Sequence, residues 1–153
     1  MSYQIKVASE SDLDQIMQIE IACFGNDAWS KSNMKSELLA PHTTYVVAEE
    51  GNSLIGYAGL SKIENSKSSD IQTIAVSDSH RSHGVGRALM EALLAFAKEQ
   101  GAEEVFLEVR EDKPTPQSLY VSLGFKAIDR RENYYQPDGV AAIVMRLDLG
   151  GQK

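Results

Sequence analysis

The residues with the types and spacing to do chemistry begin at Ser77-Asp78-Ser79-His80-Arg81-Ser82-His83-Gly84-Val85-Gly86-Arg87. This stretch follows an apolar segment and leads into the strongest helical periodicity of the chain. Glycines at 84 and 86 let backbone N–H groups turn inward with no Cβ in the way. A helix that starts there offers unsatisfied N–H donors and the positive end of its dipole. Arg81, His83 and Arg87 add positive charge. The pattern suits a pyrophosphate; the plainer alternative is a tight strand-to-helix turn. It is not a Walker loop, because no Gly-Lys-Ser/Thr follows. It is not a dinucleotide fingerprint either, because Leu89 stands where the third glycine would be.

The next candidate is a carboxylate. Val105-Phe106-Leu107-Glu108-Val109 is apolar except for Glu108. A strand covered on both faces should be continuously hydrophobic, so Glu108 either faces solvent or serves chemistry. Partial burial would raise its pKa and suit it to general-base work. Tyr120 follows on a short helical segment, as a core residue or as a phenol able to donate a proton. Trp29, Tyr134 and Tyr135 are candidates for a peptide-binding rim or for packing. If the chain is extended through Asn133–Tyr135, Tyr134 and Tyr135 point to opposite faces. His42 and His80 read as solvated, and with His83 they lack metal-ligand spacing. Cys23 reads as a small hydrophobe at a helix end.

The elements that must position these groups follow from periodicity and punctuation. Gln4–Val7 reads as a strand. A helix capped at Ser9 or Ser11 runs to about Cys23, with Leu13, Ile16, Met17 and Ile19 as its apolar stripe. Ser30 caps a second helix through Leu39, stopped before Pro41. Thr43–Ala48 and Leu54–Ile63 are strands; Glu64–Asp70 is a polar connection; Ile71–Val76 is a strand. Val85–Gln100 is a helix ended by Gly101. After strand Val105–Val109, Thr115 caps a short helix with Pro116 at its first position and Gly124 after its end. Phe125–Tyr135 and Val140–Asp148 flank the turn Gln136-Pro137-Asp138-Gly139. This order predicts an α/β or α+β fold, a sheet with helices on its faces.

The 153 residues, with no linker or repeat, predict a single domain over 1–153. The apolar run Val140–Met145 is far shorter than the ~20 residues of a membrane helix. Lys6 followed by Glu10, Asp12 and Asp14, with no apolar h-region, leads us to expect no secretory signal, and the lone cysteine excludes an internal disulfide and a Cys-based zinc site. A cytoplasmic protein is expected. The net charge of −7 argues against a general nucleic-acid binder and permits a cationic substrate.

Taken together, the residues resemble a family. Arg81-Ser82-His83-Gly84-Val85-Gly86 fits the Gln/Arg-x-x-Gly-x-Gly/Ala element of the GNAT acetyltransferases. Leu107-Glu108-Val109-Arg110 followed by Leu119-Tyr120-x-x-Leu123-Gly124-Phe125 is similar to the RimI-like branch, the ribosomal-protein alanine N-acetyltransferases. Ala28-Trp29-Ser30, Gln72–Val76 and Asn133-Tyr134-Tyr135 extend the resemblance over nearly the whole chain. It implies a GNAT fold, a mixed, mostly antiparallel sheet of about seven strands flanked by about four helices. It implies acetyl-CoA as cosubstrate and no metal. The acceptor it implies is the N-terminal α-amine of a protein, a ribosomal protein starting with Ala among the candidates. A small-molecule amine, a lysine, or a CoA-binding module of low activity that needs a partner are the alternatives. The enzyme would act as a monomer or weak dimer, without nucleic acid or membrane.

The roles implied are these. Backbone groups of Ile74, Ala75 and Val76 would pair with the pantetheine arm, and one of their N–H groups would face the oxyanion. Ser82–Arg87 would hold the pyrophosphate. Glu108 would be general base and Tyr120 general acid. Lys113 replaces the usual Asn, and either pairs with a CoA phosphate or is solvated. Ala141 stands where the family often has Asp. Pro114 and Pro116 stiffen the loop between Glu108 and Tyr120.

Overall fold

The structure is a computed structural model that describes residues 3–81, 83–136 and 138–149. Ser82, an expected pyrophosphate residue, and Pro137 of the expected turn lie outside them. Seven strands form one sheet: β1 Gln4–Val7, β2 Thr43–Glu50, β3 Ser53–Ser61, β4 Ser68–Val76, β5 Glu104–Arg110, β6 Lys126–Tyr135 and β7 Val140–Asp148. The helices are α1 Leu13–Phe24, α2 Lys31–Leu39, α3 Val85–Glu99 and α4 Pro114–Ser122. The sheet order is β1-β2-β3-β4-β5-β7-β6. Every neighbouring pair is antiparallel except β4 and β5. This is the helix-flanked sheet that the element order predicts, with the mostly antiparallel pairing that the family resemblance implies.

Alternation along the strands divides the core between the two faces. Val46 and Ala48 of β2 pack on one side with Val85, Leu89, Met90 and Leu93 of α3. Tyr45 and Val47 pack on the other with Leu13, Ile16 and Met17 of α1 and Met34 of α2. The predicted α1 stripe is therefore the buried one. Among the described residues no helix is long and apolar enough to cross a membrane.

Several boundaries differ from the sequence reading. Ser9 caps a 3-10 turn, Glu10–Asp12, and α1 begins only at Leu13. The Ser9 N–H donates to the Asp12 carboxylate at 2.9 Å. The polar connection is shorter than expected, because Ser68–Asp70 already belongs to β4. Those hydroxyls are satisfied across the sheet: Ser69 Oγ donates to the Glu104 carbonyl at 3.0 Å, and Ser68 Oγ to the Glu104 carboxylate at 2.5 Å. The last short helix starts at Pro114, with Lys113 at its cap position. Both prolines fit its first turn, where a missing N–H leaves no helical bond unmade.

Gly59 on β3 lies directly opposite Tyr45 on β2. A Cβ there would come within 2.3 Å of the Tyr45 ring. That ring is 4% exposed, and its hydroxyl donates to Glu37 of α2 at 3.3 Å. Gly59→Ala is expected to destabilise the protein by about 1–3 kcal/mol, the usual overpacking cost. The urea midpoint should fall. An unchanged midpoint would show that the Tyr45 ring yields without cost.

Candidate active site

The site is built on the parallel pair. β4 and β5 pair at Ser68↔Glu104, Ser69↔Val105 and Asp70↔Phe106, and no further. Past that point β4 stays paired with β3 as far as Gly56↔Val76, and β5 with β7 as far as Arg110↔Ala142. The two halves of the sheet therefore part, and a cleft opens between Ile71–Val76 and Leu107–Arg110. The facing edges carry backbone N–H and C=O groups that no strand uses. Ile74, Ala75 and Val76 lie on one of these edges.

At the wide end, β4 passes through the turn Asp78–His80 into α3. Gly84 is the cap residue of α3 at φ +81°, a conformation that costs other residues about 1–2 kcal/mol. Val85, Gly86 and Arg87 occupy the first turn, where helix N–H groups lack helical partners. That turn holds no acidic residue. The Arg87 guanidinium hydrogen-bonds the Ser122 hydroxyl of α4. His83 and Lys113 are exposed. Arg81 is folded back on the end of β4. Its Nε donates to the Val76 carbonyl at 3.2 Å, its Nη2 approaches Cys23 Sγ at 3.4 Å, and its Nη1 pairs with Asp78 at 3.1 Å. Cys23 is half-buried at the end of α1, as a small hydrophobe would be.

His80 departs from expectation. It is not a solvated loop histidine: its side chain is 20% exposed, with Nε2 2.9 Å from Glu50 and Nδ1 2.9 Å from Ser77 Oγ. The reason is the 3-10 turn, which folds the ring back over the end of β2.

Glu108 resolves by alternation. Val105, Leu107 and Val109 are buried under α3, so Glu108 projects from the opposite face. The helices α1 and α2 cover that face only over the β2–β4 half. β5 is thus not covered on both faces, and Glu108 is exposed. Both of its oxygens are engaged: Arg131 Nη1 donates to Oε2 at 3.0 Å and the Tyr134 hydroxyl to Oε1 at 2.6 Å. The Tyr134 bond, with burial in second place, raises the Tyr134 phenol above its usual pKa.

Tyr134 and Tyr135 do not point to opposite faces. Asn133 sits at φ +52° and the β6–β7 register shifts between Arg131 and Tyr135. This irregularity breaks the two-residue period, and the two rings meet edge-on with centres 5.0 Å apart. Burial pushes the Tyr135 phenol up to about 12, helped by the charge of Glu108. Tyr120 lies on the α3 side, 6% exposed, edge-on to Phe125 at 6.0 Å. Burial pushes its phenol up to about 12, and Tyr135 is close enough to add to the effect. The charge of Glu108 acts on Tyr135, and Tyr135 in turn on Tyr120.

Trp29 is half-buried beside the α1–α2 core. Its backbone N–H donates at 2.9 Å to Glu20, a carboxylate 2% exposed that also accepts from the Tyr57 hydroxyl. Sequence reasoning missed Glu20, although it falls on the apolar face of α1 at helical spacing from Ile16. It also missed Arg131, Arg110 and Asp70. Asp70 pairs with Phe106, two residues before Glu108 on β5, so alternation puts the two carboxylates on one face; burial and then the charge of Glu108 raise the Asp70 carboxyl. Among the described residues no group of His, Cys, Asp and Glu is arranged to hold a metal ion.

Comparison with known proteins agrees with this architecture. The acetyltransferase (GNAT) family model matches residues 13–125. The chain is similar to the N-alpha-acetyltransferase RimI of Mycobacterium tuberculosis, with 35% identity over 149 residues, 95% of this chain and 92% of that protein. It is also similar to an N-alpha-acetyltransferase of Sulfurisphaera tokodaii, with 31% identity over 158 residues, 96% of this chain and 93% of that one. The crystal structure of the ribosomal-protein-S18-alanine N-acetyltransferase from Escherichia coli superposes with a TM-score of 0.88 at 26% identity, covering 99% of this chain and 97% of that one. The family match runs from the first residue of α1 to the residue that follows α4 and its glycine, so the parted strands and the start of α3 all fall inside it; the chain belongs to the GNAT acetyltransferase family and is an acyltransferase.

Proposed function

We propose that this protein is an acetyl-CoA-dependent Nα-acetyltransferase whose acceptor is the N-terminal α-amine of a protein, with a ribosomal protein that begins with alanine as the first candidate. The observation that carries the reading is the placement of Glu108 at the open mouth of the parted strands, with Tyr120 buried on the far side of the same cleft. The names of the similar proteins, two Nα-acetyltransferases and an S18-alanine acetyltransferase, support the choice of acceptor.

The cleft suits the cosubstrate. The edge of β4 at Ile74–Val76, which pairs with no strand on the cleft side and of which, among the described residues, only the Val76 carbonyl is taken up, by Arg81 and Cys23, offers backbone groups to an extended, amide-containing arm. The first turn of α3, with Gly84 to Arg87 and no acidic residue, offers donors to a pyrophosphate. His83 and Lys113 are exposed, and Lys113 adds positive charge. Acetyl-CoA supplies an activated acyl group as a thioester.

The protein's own groups divide the proton work. An α-amine has a reference pKa of about 7.7–8.0 and is largely protonated at neutral pH. Glu108 takes that proton, directly or through a water. Arg131 and Tyr134 each occupy one lone pair, and a carboxylate oxygen keeps another. Tyr120, with its pKa near 12, holds its proton throughout the neutral range and donates it toward the departing thiolate. The freed amine attacks the thioester carbonyl directly and forms the C–N bond while a backbone N–H of Ile74–Val76 stabilises the developing oxyanion; collapse breaks the C–S bond, coenzyme A leaves as the thiol with the Tyr120 proton, and the proton the nitrogen then sheds passes to solvent, which re-protonates Tyr120. Trp29, Tyr134 and Tyr135 border the acceptor side, where the Asp70 carboxylate favours a cation.

The test is incubation with acetyl-CoA and peptides of varied first residue, extended with polyamines, free amino acids and lysine-containing peptides blocked at the N-terminus. Acetylation of α-amines, strongest for Ala, is expected. Acetyl gain only on polyamines or on lysine side chains would overturn the reading.

Glu108→Gln should lower kcat by about 100-fold or more, the usual range for a general base, with acetyl-CoA binding nearly unchanged by calorimetry. Tyr120→Phe should lower kcat by about 10–100-fold. A general acid is lost as pH rises through its own pKa. With that value near 12, the deficit of Tyr120→Phe should be constant between about pH 6 and 10. A deficit that vanishes at the alkaline end of this range would remove Tyr120 from the role.

A further inference from the structure

Arg110 takes no part in the reaction derived above, yet its guanidinium is the most heavily engaged near the site. It ends β5, on the same face as Glu108. Nε and Nη2 form a two-pronged contact with Asp112 at 3.0 and 3.1 Å. Nη2 also donates to Asp138 at 3.0 Å, and Nη1 to Asp27 at 3.5 Å. The guanidinium carbon lies 5.3 Å from the centre of the Tyr135 ring. The Arg110 side chain is only 20% exposed, while the three carboxylates are 42–56% exposed.

The three carboxylates stand on different segments. Asp27 closes the turn that leads to Trp29 and α2. Asp112 belongs to the link from β5 to α4. Asp138 lies in the turn between β6 and β7, just after Tyr135. Each segment borders the acceptor side, and none belongs to the turn before α3.

We propose that Arg110 is a positioning residue: one guanidinium clasps the three segments that border the acceptor side and so sets how tightly the acceptor is held. Single exposed ion pairs contribute little. Here one planar fork makes all the contacts at once, and its face rests on an aromatic ring. An ammonium is a compact point charge and cannot span the same set. The effect extends to Glu108. Arg110 fixes Tyr135, Tyr135 meets Tyr134 edge-on, and Tyr134 donates to Glu108. The acceptor's identity is taken from the proposed function; the clasp itself is not.

Arg110→Lys and Asp138→Asn in the full chain test this by amide hydrogen exchange and by steady-state kinetics. In Arg110→Lys, exchange should rise together in the segments that contain Asp27, Asp112 and Asp138, and stay unchanged at the start of α3. The KM for an acceptor peptide should rise about tenfold, the equivalent of one lost charge-assisted hydrogen bond. The KM for acetyl-CoA should move less than about twofold. Asp138→Asn should give a smaller acceptor effect, and its addition to Arg110→Lys should add almost nothing, as for members of one network. Unchanged exchange in Arg110→Lys, or equal KM shifts for both substrates, would overturn the clasp. If Arg110→Lys does not fold, faster exchange around Asp138 and a raised acceptor KM in Asp138→Asn support it, and their absence overturns it. If the unmodified protein acetylates no peptide α-amine, the acceptor reading fails, and the exchange result alone decides the clasp.

Discussion

The site depends on β4 and β5 pairing at three positions and then parting. The parting has a local cause in β4. Gly59 of β3 faces Thr73 while Leu60 faces Ile71, so Gln72 is an extra residue with no partner. A bulge of this kind bends a strand and increases its twist. It lies just beyond Asp70, the last residue of β4 to pair with β5. The same extra residue lets Ile71 and Ile74 both join the α3-side core, against strict alternation. Edge groups left unpaired inside a protein must find partners. At the mouth of a cleft those partners are water or a bound molecule, which is why an opened sheet serves as a site.

Local patterns made much of this architecture legible. The α1 and α3 stripes, the cap at Ser30 and the left-handed position at Gly84 all follow from periodicity or from one residue's conformational range. Glu108 stood out because it interrupts an apolar run. Features that depend on distant partners were not legible. Ser68–Asp70 looks like a linker until β5 is placed beside it. His80 looks solvated until the turn carries it over Glu50. The adjacency of Tyr134 and Tyr135 turns on Asn133 at φ +52°. Asn is enriched at such positions, but nothing in the neighbouring residues demands that conformation there. Arg110 belonged to the motif that carried the resemblance, yet two of its three aspartate partners are 28 and 83 residues away in sequence.

The global charge of −7 divides unevenly between the two ends of the cleft. Arginines near the acceptor side are committed: Arg110 to three aspartates, Arg130 to Glu111 and Glu132, Arg131 to Glu108. They neutralise and orient carboxylates there and do not present free positive charge. The first turn of α3 is the opposite case, with no acidic side chain and the helix dipole uncompensated. An anion and a cation are thus favoured at different ends of one opening. At about 0.1 M salt the screening length is only ~10 Å, so each end acts mainly on what binds beside it.

This separation bears on how acid and base coexist. Glu108 lies on the open face, held by Arg131 and Tyr134. Tyr120 lies in the α3-side core. If the two were in direct contact, the carboxylate would accept the phenol's hydrogen bond and each would be occupied by the other. Placed on opposite faces of a parted sheet, they meet only through what enters the cleft. Burial then acts on them selectively. It holds the Tyr120 proton in place to about pH 12 and leaves Glu108 in contact with solvent. On the proposed roles, the sheet geometry sets the direction of proton flow: in at the open face, out at the buried one. On the proposed roles the reaction also depends on the β6–β7 turn, because Tyr134 donates to Glu108 and meets Tyr135 edge-on, and Arg110 ties Tyr135 and Asp138 of that turn to Asp27 and Asp112.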